Sequence, residues 1–203
     1  DIEISDPDTF EINLEKLYYN KLIKFKNDIL LINIAKIKNG LLQYNKYINK
    51  SKNNKKQLMV NMISITNLIK YNEVLIGNDI YLFGYPTSIG LTMNGAIQFD
   101  KNRPLLRKGI IAGKYNDNKT IIIDCPSYYG NSGGPVICFF YSNKKYIIPN
   151  IIGINIQFIP YVETWKNIRN NLTREEWSNS GYSVVESSDK IIEILEDFKK
   201  NGK

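Results

Sequence analysis

Ser132 is the residue whose sequence neighbours are best suited to covalent chemistry. It lies in the run Gly-Asn-Ser-Gly-Gly-Pro, residues 130–135, between two apolar segments that the pattern predicts to be strands. Glycines on both sides permit a tight turn that exposes the serine hydroxyl and turns peptide N–H groups inward. Such a serine suits nucleophilic attack on a carbonyl, with the N–H groups of Gly130 and Ser132 as the oxyanion hole. A glycine-rich hairpin without chemistry is the alternative.

The run at residues 130–136 resembles the nucleophile signature of trypsin-like serine peptidases, the chymotrypsin-fold family, in the Asn-containing form of bacterial and HtrA-type members. The resemblance covers most of residues 10–200. The other similar segments are residues 77–86 and 109–112 at the start of the second barrel, residues 151–155 in the strand whose edge pairs with the substrate backbone, and residues 181–185 in the strand after the specificity pocket.

The resemblance implies an all-β fold of two six-stranded antiparallel β-barrels of chymotrypsin type, followed by a C-terminal α-helix. Residues 1–68 would form the first barrel lobe, without its opening strands, and residues 69–203 the second. The implied activity is that of a serine endopeptidase, which cleaves a peptide or protein substrate through an acyl-enzyme on Ser132 and uses no cofactor or metal.

Asp28 is the residue that the same comparison places as the acid of the catalytic triad. It precedes Ile29-Leu30-Leu31, and this segment is similar to the family's Asp-Ile/Leu-Ala-Leu-Leu. A triad acid holds the base imidazole in one tautomer and stabilises it once protonated. The alternative is an acid that only ends a strand or loop.

The general base of the family, a histidine, is missing, because the sequence contains no histidine. No lysine is marked out as a buried replacement. Two interpretations stay open: part of a longer enzyme whose histidine precedes Asp1, or a pseudopeptidase that binds peptides or proteins. The first is favoured here, since a barrel that began at Asp1 would lack strands and expose its edges.

Substrate recognition is expected at two places. Six positions before the nucleophile, where trypsins carry an acid in the pocket, stands Pro126, and Asp124 is only a sequence neighbour. We therefore expect a preference for an apolar or small side chain rather than Lys or Arg. By the resemblance, Asn155, Ile156 and Gln157 bind the substrate backbone.

The apolar pattern predicts the elements that position these residues. Alternating segments predict strands at residues 10–17, 22–25, 28–37, 58–65, 80–83, 110–112, 120–123, 136–140, 146–148 and 151–156. Residues 39–57 are rich in Asn and Lys and predict a long surface loop or a frayed hairpin. A capping-box pattern at residues 173–176 predicts a short helix within a polar insertion at 161–181. Ser188 is expected to cap an amphipathic helix over residues 189–199.

Charge and composition bear on the partners. The formal net charge is +7, but the densest basic run, residues 46–56, is interleaved with Asn and Ser and has no aromatic stacking pattern. A solvated loop is favoured there, with no nucleic acid as partner. No segment reaches the roughly 18–20 apolar residues that cross a bilayer, and no signal-peptide pattern opens the sequence. We therefore expect a soluble chain with no membrane partner.

The two cysteines, Cys125 and Cys138, flank the serine run. Their number and spacing give neither a disulfide framework nor a zinc-binding pattern. Both are expected to be small buried side chains on neighbouring strands, with a bridge between them as the alternative.

Overall fold

The computed structural model describes residues 10–39, 41–50, 63–85, 104–142 and 146–200. The chain forms two compact units, residues 1–63 with 193–203, and residues 64–192. The sequence had suggested a division after residue 68, with the C-terminal helix in the second lobe. The fold is mostly β-sheet with a C-terminal helix, as expected.

The second unit contains a closed barrel of six antiparallel strands. Their order around the barrel is β7, β8, β9, β12, β11, β10, and β7 pairs again with β10. The strands are β7 (Asp79–Gly84), β8 (Leu105–Tyr115), β9 (Thr120–Asp124), β10 (Pro135–Ser142), β11 (Tyr146–Asn167) and β12 (Leu172–Ser187). Closure leaves no edge strand in the body of the barrel.

Alternation along the strands fills the barrel interior. In β7 the side chains of Ile80 and Leu82 are fully buried, and in β9 those of Ile121 and Ile123 are as well. These residues belong to one apolar cluster that also includes Val136, Ile152 and Val185. Burying each large aliphatic side chain contributes about 1.5–3 kcal/mol relative to exposure. The second half of the chain therefore carries its own core.

In the first unit, the described residues form three antiparallel pairs: β1 with β6, β2 with β3, and β4 with β5. The elements are β1 (Phe10–Ile12), α1 (Leu14–Tyr19), β2 (Ile23–Lys26), β3 (Ile29–Ile32), β4 (Ala35–Lys38), β5 (Leu41–Tyr44) and β6 (Ile48–Lys50). Its buried apolar side chains among the described residues are Leu17, Leu22 and Ile29, with Ile194 and Phe198 from the C-terminal helix. No closed barrel is present among these described strands.

Three predictions for this part of the chain were wrong. Residues 10–17 are not one strand, because the Asn13 side chain accepts a hydrogen bond from the Lys16 N–H and begins helix α1. Residues 39–57 are neither one loop nor one hairpin, since β5 and β6 lie within them and pair with β4 and β1 respectively. Residues 28–37 are broken into β3 and β4. Residues 51–57, and most of the strand predicted at 58–65, lie outside the described residues.

The C-terminal helix α2 (Ser188–Lys200) was predicted correctly within one residue at each end. Ile191, Ile194 and Phe198 share one helical face and are buried. The Ser188 side chain, however, makes a different contact from the N-cap bond that the sequence predicted. The Ser188 hydroxyl donates to the Ile151 carbonyl at 2.9 Å, while the Asp189 carboxylate accepts from the Tyr71 N–H at 2.6 Å.

The prediction of a short helix at residues 173–176 was also wrong. These residues lie in β12, and β11 and β12 pair from Pro160–Asn179 to Asn167–Leu172 as a long hairpin. The same four polar residues are equally compatible with a strand, on which polar side chains alternate between the two faces. Cross-strand pairing therefore overrode the local helix signal.

Candidate functional site

Two consecutive β-turns present Ser132. The Asn131 N–H donates to the Tyr128 carbonyl at 2.9 Å, and the Gly134 N–H donates to the Asn131 carbonyl at 3.0 Å. The third residue of each turn is a glycine at positive φ, Gly130 at 93° and Gly133 at 85°. Turns with positive φ at this position require glycine or asparagine. Gly130 and Gly133 are thus explained by local backbone geometry.

Ser132 itself is exposed, and its hydroxyl donates to the Ile156 carbonyl at 3.1 Å. The loop around Ser132 is hydrogen-bonded to β11. The Gly133 N–H donates to the Asn155 carbonyl at 2.8 Å, and the Asn155 N–H donates to the Gly134 carbonyl at 2.9 Å. An exposed hydroxyl is therefore carried on a backbone that is fixed on both sides.

The backbone donors that the sequence assigned to an oxyanion hole are free. Within the described parts of the chain, the N–H groups of Gly130 and Ser132 have no hydrogen-bond acceptor. Most backbone N–H groups in folded proteins are paired with protein or water. Such unpaired N–H groups can donate hydrogen bonds to an oxygen atom of a ligand.

An apolar cavity of about 440 Å³ lies directly beside Ser132. Its wall includes Gly130, Ser132 and Gly133 from the loop, together with Phe83 at the end of β7 and Ile137 on β10. A cavity of this size can hold one or two side chains of an extended peptide. Ser132 thus lines space that a substrate can enter.

Close packing makes Gly134 necessary. A Cβ added at Gly134 would lie 1.9 Å from the Phe83 carbonyl oxygen and 2.9 Å from the Asn131 carbonyl oxygen. Both are backbone atoms and cannot move aside as a flexible side chain can. The loop and the end of β7 therefore meet only because this residue has no side chain.

Pro126 is half-buried in the segment that leads into the serine loop. Its carbonyl accepts a hydrogen bond from Arg107 Nη1 at 3.1 Å, and the Arg107 guanidinium lies 4.5 Å from the ring centre of Tyr128. The sequence analysis missed Arg107, because no local pattern links β8 with a loop some twenty residues later. Asp124 is exposed on β9.

A hydrogen-bond chain behind this segment was also missed. The Ser127 N–H donates to Ser183 Oγ at 3.1 Å, and Ser183 Oγ donates to the Cys125 carbonyl at 2.7 Å. Asn179 Nδ2 donates to the Ser127 carbonyl at 2.6 Å. Ser127 and Ser183 are buried, so these contacts fix the backbone that precedes the nucleophile.

The three predicted residues of β11 differ in environment. Asn155 is fully buried and supports the loop, Ile156 is half-buried at a β-bulge, and Gln157 is exposed. The pairing between β10 and β11 begins at Pro135 and Ile154. Next to Ile154, both backbone groups of Asn155 are bonded to the serine loop, so Asn155 cannot bind a substrate backbone as the sequence predicted. Beyond Ile156 no described strand covers this edge of β11, and an extended peptide can pair with it there.

Asp28 belongs to the first unit. It lies in the two-residue turn between β2 and β3 and is exposed. Asn27, the other turn residue, has a φ of 52°, which suits a tight hairpin. Ser132, Gly130, Asn155 and Ile156 come together within the second unit, whereas the role of Asp28 stays a prediction.

The two cysteines are buried free thiols. Burial raises the pKa of the Cys138 thiol to about 11. Burial also raises the pKa of Cys125, although the nearby Arg107 charge opposes this. A thiol that is held protonated is a poor nucleophile, so both cysteines serve packing. Within the described residues, no three His, Cys, Asp or Glu side chains converge as metal ligands would.

Comparison of the chain with protein-family models and with curated proteins found no match. Among the described helices, none has the length and apolar character needed to cross a membrane.

Proposed function

We propose that this chain carries the nucleophile lobe of a serine endopeptidase of chymotrypsin type. One observation carries the proposal: Ser132 is exposed, lines an apolar cavity together with Gly130, and within the described residues the backbone N–H groups of both have no hydrogen-bond acceptor. Nucleophile, oxyanion donors and side-chain cavity are the three parts that acyl transfer needs on one surface. The closed six-stranded antiparallel barrel is compatible with the second lobe of that fold.

In the proposed reaction Ser132 Oγ attacks the scissile carbonyl carbon while its proton passes to a base. The Gly130 and Ser132 N–H groups donate to the oxyanion that forms. The base then returns the proton to the departing amine, which leaves an ester on Ser132. Water, deprotonated by the same base, hydrolyses that ester and restores the serine.

The base must be a histidine from outside the present sequence, since this sequence has none. Asp28 is proposed to orient that histidine through Nδ1–H. Without the base, the remaining catalysis over water comes from oxyanion donors and binding alone, on the order of 10³–10⁴-fold.

The substrate is proposed to be a peptide whose backbone pairs with the free edge of β11 at Gln157. The residue at the trypsin acid position is Pro126, whose carbonyl is already paired with Arg107. No carboxylate is supplied there for a Lys or Arg side chain. The preferred side chain at the scissile bond is therefore apolar or small.

The same features support a second candidate, a pseudopeptidase that binds an extended peptide by strand addition. The absence of histidine from the sequence favours it. This candidate keeps the cavity and the β11 edge but needs no activated Ser132. The two candidates differ in whether the serine reacts.

A fluorophosphonate probe separates the two candidates, because it labels only an activated serine. We expect no labelling of the 203-residue chain and clear labelling of a chain extended N-terminally through a histidine. Ser132→Ala in the extended chain is the matched control and should abolish labelling. A folded natural protein that has no histidine near Ser132, or that stays unlabelled, would overturn the peptidase proposal in favour of the binding module.

A further inference from the structure

Strands β11 and β12 continue well past the body of the barrel. Residues 160–167 pair with residues 172–179, whereas β12 pairs with β9 only from Tyr182 onward. This two-stranded extension, residues 160–179, is called the arm. No third strand covers either edge of the arm among the described residues.

The arm exposes an unusual amount of apolar surface. Trp165 is 62% exposed, Trp177 65% and Leu172 64%. Tyr161 and Ile168 are exposed as well. Large apolar and aromatic side chains clustered on one exposed element mark an interaction surface more often than not. These two tryptophans are also the only tryptophans of the chain.

The strand register divides the arm into two faces. Residues directly opposite each other share a face, and successive residues alternate. Tyr161, Glu163 and Trp165 therefore lie on one face with Arg174 and Glu176, here called the acidic face. Val162, Trp177 and Glu175 lie on the opposite face.

Two carboxylates stand directly opposite each other on the acidic face, Glu163 on β11 and Glu176 on β12. Like charges in this position destabilise a strand pair. The Arg174 guanidinium lies 3.8 Å from Glu176 Oε2, but no described cation is within ion-pair distance of Glu163. A cation bound between the two carboxylates would relieve this repulsion, and the flanking rings of Tyr161 and Trp165 offer cation–π contacts.

The acidic face is continuous with the strand that supports the nucleophile. Two residues on β11 mark the two places, Ile156 and Glu163, which are seven residues apart. The Ile156 carbonyl accepts the hydrogen bond from the Ser132 hydroxyl. At about 3.3 Å per residue, the distance along β11 between Ile156 and Glu163 is at most about 23 Å, which about seven residues of an extended peptide can span. One peptide paired along the free edge of β11 can therefore reach both places.

We propose that the acidic face of the arm binds a Lys or Arg side chain of the peptide substrate, about seven residues from the scissile bond. This assignment rests on the proposed function, in that the same peptide lies beside Ser132. It adds a basic determinant remote from the reaction to the apolar or small side chain proposed at the scissile bond. The tip of the arm, where Trp165, Ile168 and Leu172 line one shallow concavity together with Lys166, Arg169 and Arg174, lies farther along and is not part of this basic determinant.

The tryptophans provide a direct assay for the arm. In Trp177→Phe only Trp165 on the acidic face remains, and in Trp165→Phe only Trp177 on the other face remains. Both are combined with Ser132→Ala, so that no peptide is cleaved. A twelve-residue peptide with an apolar residue at one end and a single Arg seven positions away is titrated at low salt. We expect a saturable change in Trp165 emission and none in Trp177 emission.

Charge variants supply the matched comparison. Glu163→Gln with Glu176→Gln should weaken binding about three- to tenfold, since exposed ion pairs and cation–π contacts each contribute little. Glu175→Gln, the neighbouring acid on the opposite face, should leave the dissociation constant unchanged. Replacing the Arg of the peptide by Gln should cause a loss at least as large as that of the double variant, since it also removes the cation–π contacts, and added salt should weaken only the Arg peptide.

Several outcomes would overturn this proposal. They are a response of Trp177 in place of Trp165, an effect of Glu175→Gln as large as that of the double variant, or Trp165 emission that depends on protein concentration without peptide. The last would mean that a second copy covers the arm. Fluorophosphonate labelling of Ser132 in the histidine-containing extended chain without a Trp165 response in the Ser132→Ala variants rejects the arm proposal alone. A Trp165 response together with an unlabelled extended chain rejects the peptidase alone.

Discussion

Three Gly→Ala substitutions test the geometry of the serine loop with one chemical change. At Gly134 an added Cβ would lie 1.9 Å from the Phe83 carbonyl oxygen. Ordinary contact between these atoms needs roughly 3.2 Å or more, so one backbone segment must move by more than about 1 Å. Overpacking of this kind costs about 1–3 kcal/mol and occasionally more. We expect about 3 kcal/mol, because both atoms belong to backbone.

Gly133 and Gly113 are the matched controls. At Gly133 the added Cβ meets nothing within 4 Å, but φ is +85°, which costs an L-residue about 1–2 kcal/mol. The lower entropy of the unfolded chain offsets part of this cost, which leaves about 1 kcal/mol. At Gly113 the nearest atom is Ile122 Cβ at 3.9 Å and φ is not positive, so alanine should be neutral or stabilise by up to about 1 kcal/mol.

Thermal unfolding followed by circular dichroism measures the series. At about 2–4 °C per kcal/mol for a chain of this size, we expect Tm to fall by about 6–12 °C in Gly134→Ala and by about 2–4 °C in Gly133→Ala. Tm should stay level or rise in Gly113→Ala. If Gly134→Ala is no more damaging than Gly133→Ala, the Phe83 carbonyl does not pack against the loop and the described site geometry is wrong.

Three further results are expected. Burial raises the pKa of the Cys138 thiol from an ordinary value near 9 to about 11, because the folded chain disfavours the charged thiolate. The contribution of Cys138 to the free energy of unfolding is therefore complete below pH 9 and is lost as the pH rises to about 11. Urea unfolding of the chain and of Cys138→Ala between pH 8 and pH 11 checks this, and parallel pH profiles would contradict it. Asp28→Asn in a histidine-containing extended chain should lower peptide turnover by about 10⁴-fold with Tm changed by no more than about 2 °C; unchanged turnover removes Asp28 from the mechanism. Arg107→Met should lower Tm by about 3–6 °C, since it removes a charged hydrogen bond and a ring contact worth about 1.5 kcal/mol together; a Tm equal to that of the parent chain would show that Arg107 does not hold the loop.

Much of the second barrel could be predicted from the sequence, because its signals are local. Alternating apolar residues predicted the strands around Ile80, Ile121 and Val136, and all of them are strands. Helical spacing of Ile191, Ile194 and Phe198 predicted the C-terminal helix. These patterns are contained within a few residues, and burial of one face is enough to select the element.

The presentation of Ser132 was also encoded locally. Gly130 and Gly133 occupy positions where φ is positive, and only a few residue types adopt that conformation. The turns close within four residues through their own backbone hydrogen bonds. These turns expose the serine through local hydrogen bonds, without tertiary contacts. The run of small residues alone therefore predicted that Ser132 is exposed.

Only the tertiary structure decided what depends on distant partners. Thr173 to Glu176 fit a helix cap or a strand equally well by sequence, and pairing with β11 selected the strand that forms the arm. The bond from Arg107 to Pro126 joins residues that share no local pattern. Asp28 lies in a hairpin turn because Lys26 pairs with Ile29 on the next strand. Strand register and long-range hydrogen bonds depend on the whole chain folding together, and no short window of sequence contains that information.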